Sequence, residues 1–191
     1  MQDDKTRVPS FTTQVRLAFP RVDALLQPFA ADLGEDLPAN RNHVFRVLNY
    51  YLALIAPQEW LPEPVLIAAA LHDIGIWSDH TFDYLDPTVR RVRAYLDAHG
   101  LGAIEPEVEA IVRQHHKVMQ YGAAHAGTIE PFRQADWIDV SLGLIRFGLP
   151  ASFVRAVQAA FPDEGFHWLL VTLTAREFCR KPWRPLPMLC W

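Results

Sequence analysis

Cysteine is scarce. Cys179 and Cys190 are the two in 191 residues, without CxxC spacing and without enough partners for a disulfide framework. Such usage fits a reducing compartment, so the expectation is a cytoplasmic protein. Positive charge is also short. Lys+Arg number 18 against 22 Asp+Glu, for a net charge of -4, and no basic stripe marks a nucleic-acid binder. The longest aliphatic run, Val65 to Leu71, falls far below the ~20 residues that cross a bilayer, so no membrane partner is expected. The opening Met1-Gln2-Asp3-Asp4-Lys5 is polar and acidic with no apolar stretch behind it, unlike a secretory signal. Strand signals are missing as well: there is no alternating apolar pattern, no Asn-Gly turn and no repeat period.

What remains is helical. Hydrophobic residues make up 50% of the chain and charged residues 21%, enough apolar surface for a single well-buried core. The expected fold is all-α, a single-domain bundle of about eight or nine helices. Residues 1–10 read as a flexible N-terminal arm and 11–181 as the helical domain. Residues 182–191, with Pro182, Pro185 and Pro187, read as an extended tail that wraps the domain or serves a homo-oligomer contact.

In order, Phe11 to Pro20 and Arg21 to Leu33 have helical spacing, with Pro20 between them. After a linker at 34–38, Asn40 reads as an N-cap of an amphipathic helix to Ala56. Its inward stripe takes in His43, Val47, Tyr50 and Leu54, with Arg46 one turn beyond His43. A helix from Pro62 or Pro64 ends in Leu71-His72-Asp73-Ile74-Gly75, where glycine suits a left-handed stop. Ile76 to Leu85 is then a loop with Trp77, Asp79, His80, Phe82 and Tyr84, the wall of a pocket or an aromatic-pinned connection. Asp86-Pro87 and Glu105-Pro106 each open a helix. The second ends in Arg113-Gln114-His115-His116-Lys117. Val118 to Thr128 reads as a mobile loop and lid, and Glu130-Pro131 as the start of a helix running to Phe147. On that helix Asp136 and Asp139 share a face among apolar neighbours. Pro150 opens a helix to Ala160, and Phe166 to Arg180 is the last.

The dipeptide His72-Asp73 is either a capped helix end with a hydrogen-bonded histidine or a pair of metal ligands. Its surroundings add to the second reading. His43, His72-Asp73 and Asp136 lie on inward faces of three separate helices, the way bundles build metal sites from side chains facing one another across the core. Two imidazoles and two carboxylates satisfy a divalent cation and leave positions for water and substrate.

The order His, His-Asp, Asp, here Asn42-His43-Val44-Phe45-Arg46, Ala69-Ala70-Leu71-His72-Asp73-Ile74-Gly75 and Ala135-Asp136-Trp137-Ile138-Asp139, resembles the HD superfamily of metal-dependent phosphohydrolases over residues 40–145. The resemblance implies His43, His72, Asp73 and Asp136 as ligands of a divalent ion (Zn, Fe, Mn, Ni or Mg), with His115 and His116 where a second metal would bind in dinuclear members. One metal is the favoured expectation. The implied activity is hydrolysis of a small phosphate ester or nucleotide, with Asp73 at the metal. Asp79, His80 or Asp83, in the loop directly after the ligand pair, is the candidate general acid or base, and Arg46 and Lys117, ahead of Arg113, are the candidates for holding phosphate. Many relatives follow Ile-Gly with a lysine where this chain has Ile76-Trp77. That departure leaves open a cyanamide hydratase-like or iron oxygenase activity on a small non-phosphorylated substrate. A non-catalytic helical interaction domain is the third alternative.

Overall fold

The computed structural model describes residues 14–189. Cys190 and the arm expected at 1–10 lie outside the described residues. The elements are α1 (Pro20–Leu26), α2 (Ala30–Leu33), α3 (Leu37–Leu54), α4 (Glu63–Leu71), α5 (Gly75–Ser78), α6 (Leu85–Ala98), α7 (Glu105–Gln114), α8 (Ala126–Val140), α9 (Ala151–Ala160) and α10 (Phe166–Arg180), with short 3-10 turns at 27–29, 34–36 and 102–104. No strand occurs among the described residues, so the all-α expectation holds.

α3 is the central strut. It packs on α8, α4, α9 and α10, and Val44, Phe45, Val47, Leu48, Tyr50 and Tyr51 are all buried. The sequence suggested one inward stripe, but neighbours on several sides bury the helix nearly all round. Its start also differs. Leu37 and Pro38 form the first turn, while Asn40 is inside the helix and buried. After Glu63 α4 is apolar, with Val65 and Ile67 to Leu71 buried. The small side chains of Ala68, Ala69 and Ala70 let it approach α1 and α7 closely.

Local differences from the sequence reading have plain causes. Residues 14–19 are not helical, and α1 begins at Pro20, whose fixed φ suits a first turn. Gly75 is not a left-handed stop. It opens the single turn α5, and a Cβ there would lie 2.7 Å from the Tyr84 carbonyl and 2.8 Å from Thr88 Oγ1. Its value is closeness: the start of α6 sits directly against it, and Gly75 N–H donates to Thr88 Oγ1 at 3.0 Å. α8 begins at Ala126, after left-handed His125, and so includes Glu130-Pro131 inside the helix. The tail turns back on itself, with Arg184 N–H donating to the Lys181 carbonyl and Met188 buried.

Candidate metal centre

Four helices bring six ionisable side chains to one buried place. α3 supplies His43 in its second turn, the end of α4 supplies His72 and Asp73, the end of α7 supplies His115 and His116, and the middle of α8 supplies Asp136. His43, His72, Asp73, His115 and Asp136 are each no more than 4% exposed.

The imidazoles are oriented from behind. His43 Nδ1 lies 2.7 Å from Asp139 Oδ2, and His72 Nδ1 lies 2.9 Å from the Ala69 carbonyl. Both partners accept only, so both rings carry hydrogen on Nδ1 and present Nε2 to the interior. Those two Nε2 atoms then meet at 3.0 Å. Two lone pairs so close require a proton or a cation between them. Asp73 Oδ2 stands 3.6 Å from His43 Nε2 and 3.3 Å from His72 Nε2. Asp136 Oδ1 stands 3.6 Å and 3.7 Å from the same two nitrogens. Metal bonds of about 2.0–2.2 Å put neighbouring ligand atoms roughly 2.8–3.6 Å apart, close to the 3.0 to 3.7 Å found here. Both oxygens of Asp136 and Oδ1 of Asp73 are buried with no aligned hydrogen bond, facing imidazole nitrogens at 3.2 to 3.7 Å, an arrangement that a cation held there would satisfy. The donor set therefore fits a divalent ion.

A second group shares Asp73. His43, His72 and Asp73 form one candidate set, and Asp73, His115 and His116 another. Asp73 Oδ1 faces His115 Nε2 at 3.5 Å, while Asp136 Oδ2 faces His116 Nδ1 at 3.2 Å. Each carboxylate thus turns one oxygen to each group. His115 Nδ1 donates to the Val112 carbonyl at 2.7 Å, again leaving Nε2 directed inward.

The electrostatics follow from this crowding. Burial opposes charge on His72, but Asp73 and Asp136 outweigh it and push the ring up to about 9. A proton there does in part what a metal would do. Burial and the neighbouring His116 push His115 down to about 4. Burial likewise opposes ionisation of Asp136, yet His116 and His72 hold its carboxyl well below the usual range.

Around the cluster, Arg46 is buried at the base of a cleft that it lines with Asp139, Phe161, Asp163 and His167. Its guanidinium donates to Asp139 at 2.6 and 2.8 Å and to the Phe161 and Pro162 carbonyls at 3.1 and 3.2 Å. It is a buried partner of the residue that orients His43, rather than the phosphate contact that its one-turn spacing from His43 suggested. Asp79 is tied to Ser78 Oγ and Arg91. His80 is exposed and left-handed, on the rim of a groove beside α10. Lys117 is half-buried, and its carbonyl accepts from Arg133 and Trp137. The segment read as a lid is fastened to α8: Tyr121 N–H donates to Glu130 at 2.8 Å, and Glu130 pairs with buried Arg133 at 2.6 and 2.7 Å.

Two contributors had little sequence signal. Phe166, from α10, stacks on His43 with ring centroids 4.1 Å apart, a contact between residues too far apart in sequence for any pattern to show. Tyr84 was visible only as one aromatic of a loop. Its hydroxyl reaches His116 Nε2 at 2.8 Å and His115 Nε2 at 3.3 Å.

No helix among the described residues is long and apolar enough to cross a membrane. No family model, curated protein or solved structure matches the chain.

Proposed function

We propose that this chain is a metal-dependent hydrolase of the HD type, a phosphohydrolase acting on a small phosphate ester or nucleotide. The observation that carries the reading is the convergence of His43, His72, Asp73 and Asp136 at ligand spacing, with both imidazoles oriented from behind. A divalent cation held there supplies a water of lowered pKa, about 7, and Lewis-acid polarisation of a phosphoryl oxygen. The chain's own part is to fix that cation with neutral imidazoles and two carboxylates. Asp139 and the Ala69 carbonyl hold the rings, and the apolar surroundings of Phe132, which meets His72 edge-on, and Phe166 exclude bulk water.

A second reading has specific support. Arg46 is committed to Asp139, and Ile76-Trp77 follows Ile74-Gly75 in place of a lysine. Both features suit a small, uncharged substrate, as in a hydratase or an iron oxygenase. The test is metal analysis of the purified chain followed by turnover on phosphomonoesters and nucleotides beside small nitriles. Phosphate release lost in His72→Ala/Asp73→Ala supports the first reading. Turnover of nitriles alone replaces it with the second. Bound metal with no turnover on either panel sinks both and leaves a structural metal in a helical interaction domain.

A further inference from the structure

Tyr84 takes no part in the chemistry described above, yet it lies inside the centre. It is 1% exposed, and its hydroxyl is 2.8 Å from His116 Nε2 and 3.3 Å from His115 Nε2. A phenol has one hydrogen and satisfies one of them. His115 Nε2 is a lone pair, because the ring hydrogen goes from Nδ1 to Val112. His116 Nδ1 faces the Asp136 carboxylate at 3.2 Å, which favours hydrogen on that nitrogen and leaves Nε2 a lone pair too. On the other side, Asp73 Oδ1 stands 3.5 Å from His115 Nε2 and has no aligned hydrogen bond. Four donor atoms therefore converge with a single hydrogen among them. Their contacts are those of atoms sharing an ion at bonds of about 2.0–2.2 Å.

We infer that Tyr84 is a protein ligand of a second cation, together with Asp73, His115 and His116. The inference rests on the metal-centre reading and adds a site chemistry to it. Two imidazoles, a carboxylate and a phenol oxygen suit iron or a similar first-row transition ion and disfavour Mg or Ca, which prefer all-oxygen shells. The backbone is built to hold the ring in place. Gly75 admits the start of α6 at a distance that no side chain allows, with the Tyr84 carbonyl 2.7 Å from where a Cβ would lie. That close approach, with the Gly75 N–H bond to Thr88 Oγ1 at 3.0 Å, fixes Tyr84 against the ends of α4 and α7.

The experiment strips the full chain of metal and titrates it anaerobically with Fe(II), for wild type and Tyr84→Phe, counting bound iron at each step. Wild type takes up two ions. Tyr84→Phe keeps the first, which also reports an intact fold, and binds the second at least about tenfold more weakly. After one-electron oxidation with ferricyanide, wild type shows a visible phenolate-to-iron absorption band that the variant lacks. A second ion bound equally well by both, with the same spectrum, overturns the proposal. So does tighter second binding in Tyr84→Phe, which would make the hydroxyl a plug in the site. A single ion in both forms overturns the proposal and spares the metal-centre reading, whereas no ion in either overturns both.

Discussion

Asp139 is the residue on which two buried groups depend. One of its oxygens receives the Nδ1 hydrogen of His43, and both receive hydrogens from Arg46. Burial opposes its ionisation, but His43 and Arg46 hold its carboxyl below the usual range. In Asp139→Asn an amide NH2 meets donors, and buried Arg46 keeps only the more distant Asp163, at 4.0 Å, as a charge partner. Breaking such a buried pair costs about 3–5 kcal/mol, and loss of the orienting carboxylate weakens metal affinity by about 10–100-fold. Urea unfolding and metal titration of the variant read the two effects separately. The pH response follows from His72 and His115. In the metal-free protein His72 lies above its unfolded value of about 6.5, at about 9. Its contribution is complete below pH 6.5 and is lost as pH rises through 9. His115 is depressed to about 4, so its contribution is lost as pH falls from about 6.5 to 4. Metal-free protein is thus expected to be most stable near pH 6–7, with thermal melts falling on both sides. Metal affinity runs the other way over the alkaline half and rises toward pH 9, because the ion must displace the His72 proton. A flat affinity between pH 6 and 9 would contradict this. The candidate ligands were legible in the sequence because helical periodicity turned His43 and Asp136 inward. Arg46 obeyed the same periodicity, but spacing reports only a face, and its partner Asp139 lies 93 positions away.

At the scale of elements, the contact of Gly75 with the start of α6 connects the candidate ligand pair His72-Asp73 to Tyr84. A Cβ at position 75 would lie 2.7 Å from one backbone atom and 3.0 Å from another, the Thr88 nitrogen. Neither can rotate away as a side chain could. Gly75→Ala is expected to cost about 1–3 kcal/mol, as overpacking does, and to weaken metal binding by displacing α6. Gly100→Ala is the control for glycine loss in general, since it has left-handed φ but open space around it. Thermal melts with and without metal separate the two: only Gly75→Ala should change the increment that metal adds. The sequence marked this glycine correctly as a boundary and gave the wrong reason, because a helix stop and a close approach look alike in one dimension. The same ambiguity affected α8. Glu130-Pro131 resembles a helix start, yet left-handed His125 sets the true beginning at Ala126. Pro131 lacks an N–H and is tolerated near the helix's beginning at the loss of one ladder bond.

For the whole molecule, the candidate centre joins α3, α4, α7 and α8 through imidazoles and through carboxylate oxygens that lack an aligned hydrogen bond. A ligand that binds only the folded chain stabilises it by mass action, about 2.7 kcal/mol at a hundred times its dissociation constant. For a chain of this size each kcal/mol moves the melting temperature about 2–4 °C. With a metal held there, its removal by a chelator should therefore lower the melting temperature by roughly 5–10 °C. Readdition should restore it. His72→Ala/Asp73→Ala should melt at the same temperature with chelator or metal present, whatever its own starting stability. The apolar core leads to the opposite expectation if it alone holds the fold: Val44, Phe45, Leu48, Ile67, Ile111 and Phe132 are buried with or without an ion, and chelation would then leave wild type unmoved. A wild-type shift matched by the double variant would point to chelator acting elsewhere on the chain. A shift in wild type alone would tie the bundle's stability to the four candidate ligands that its helices bring together.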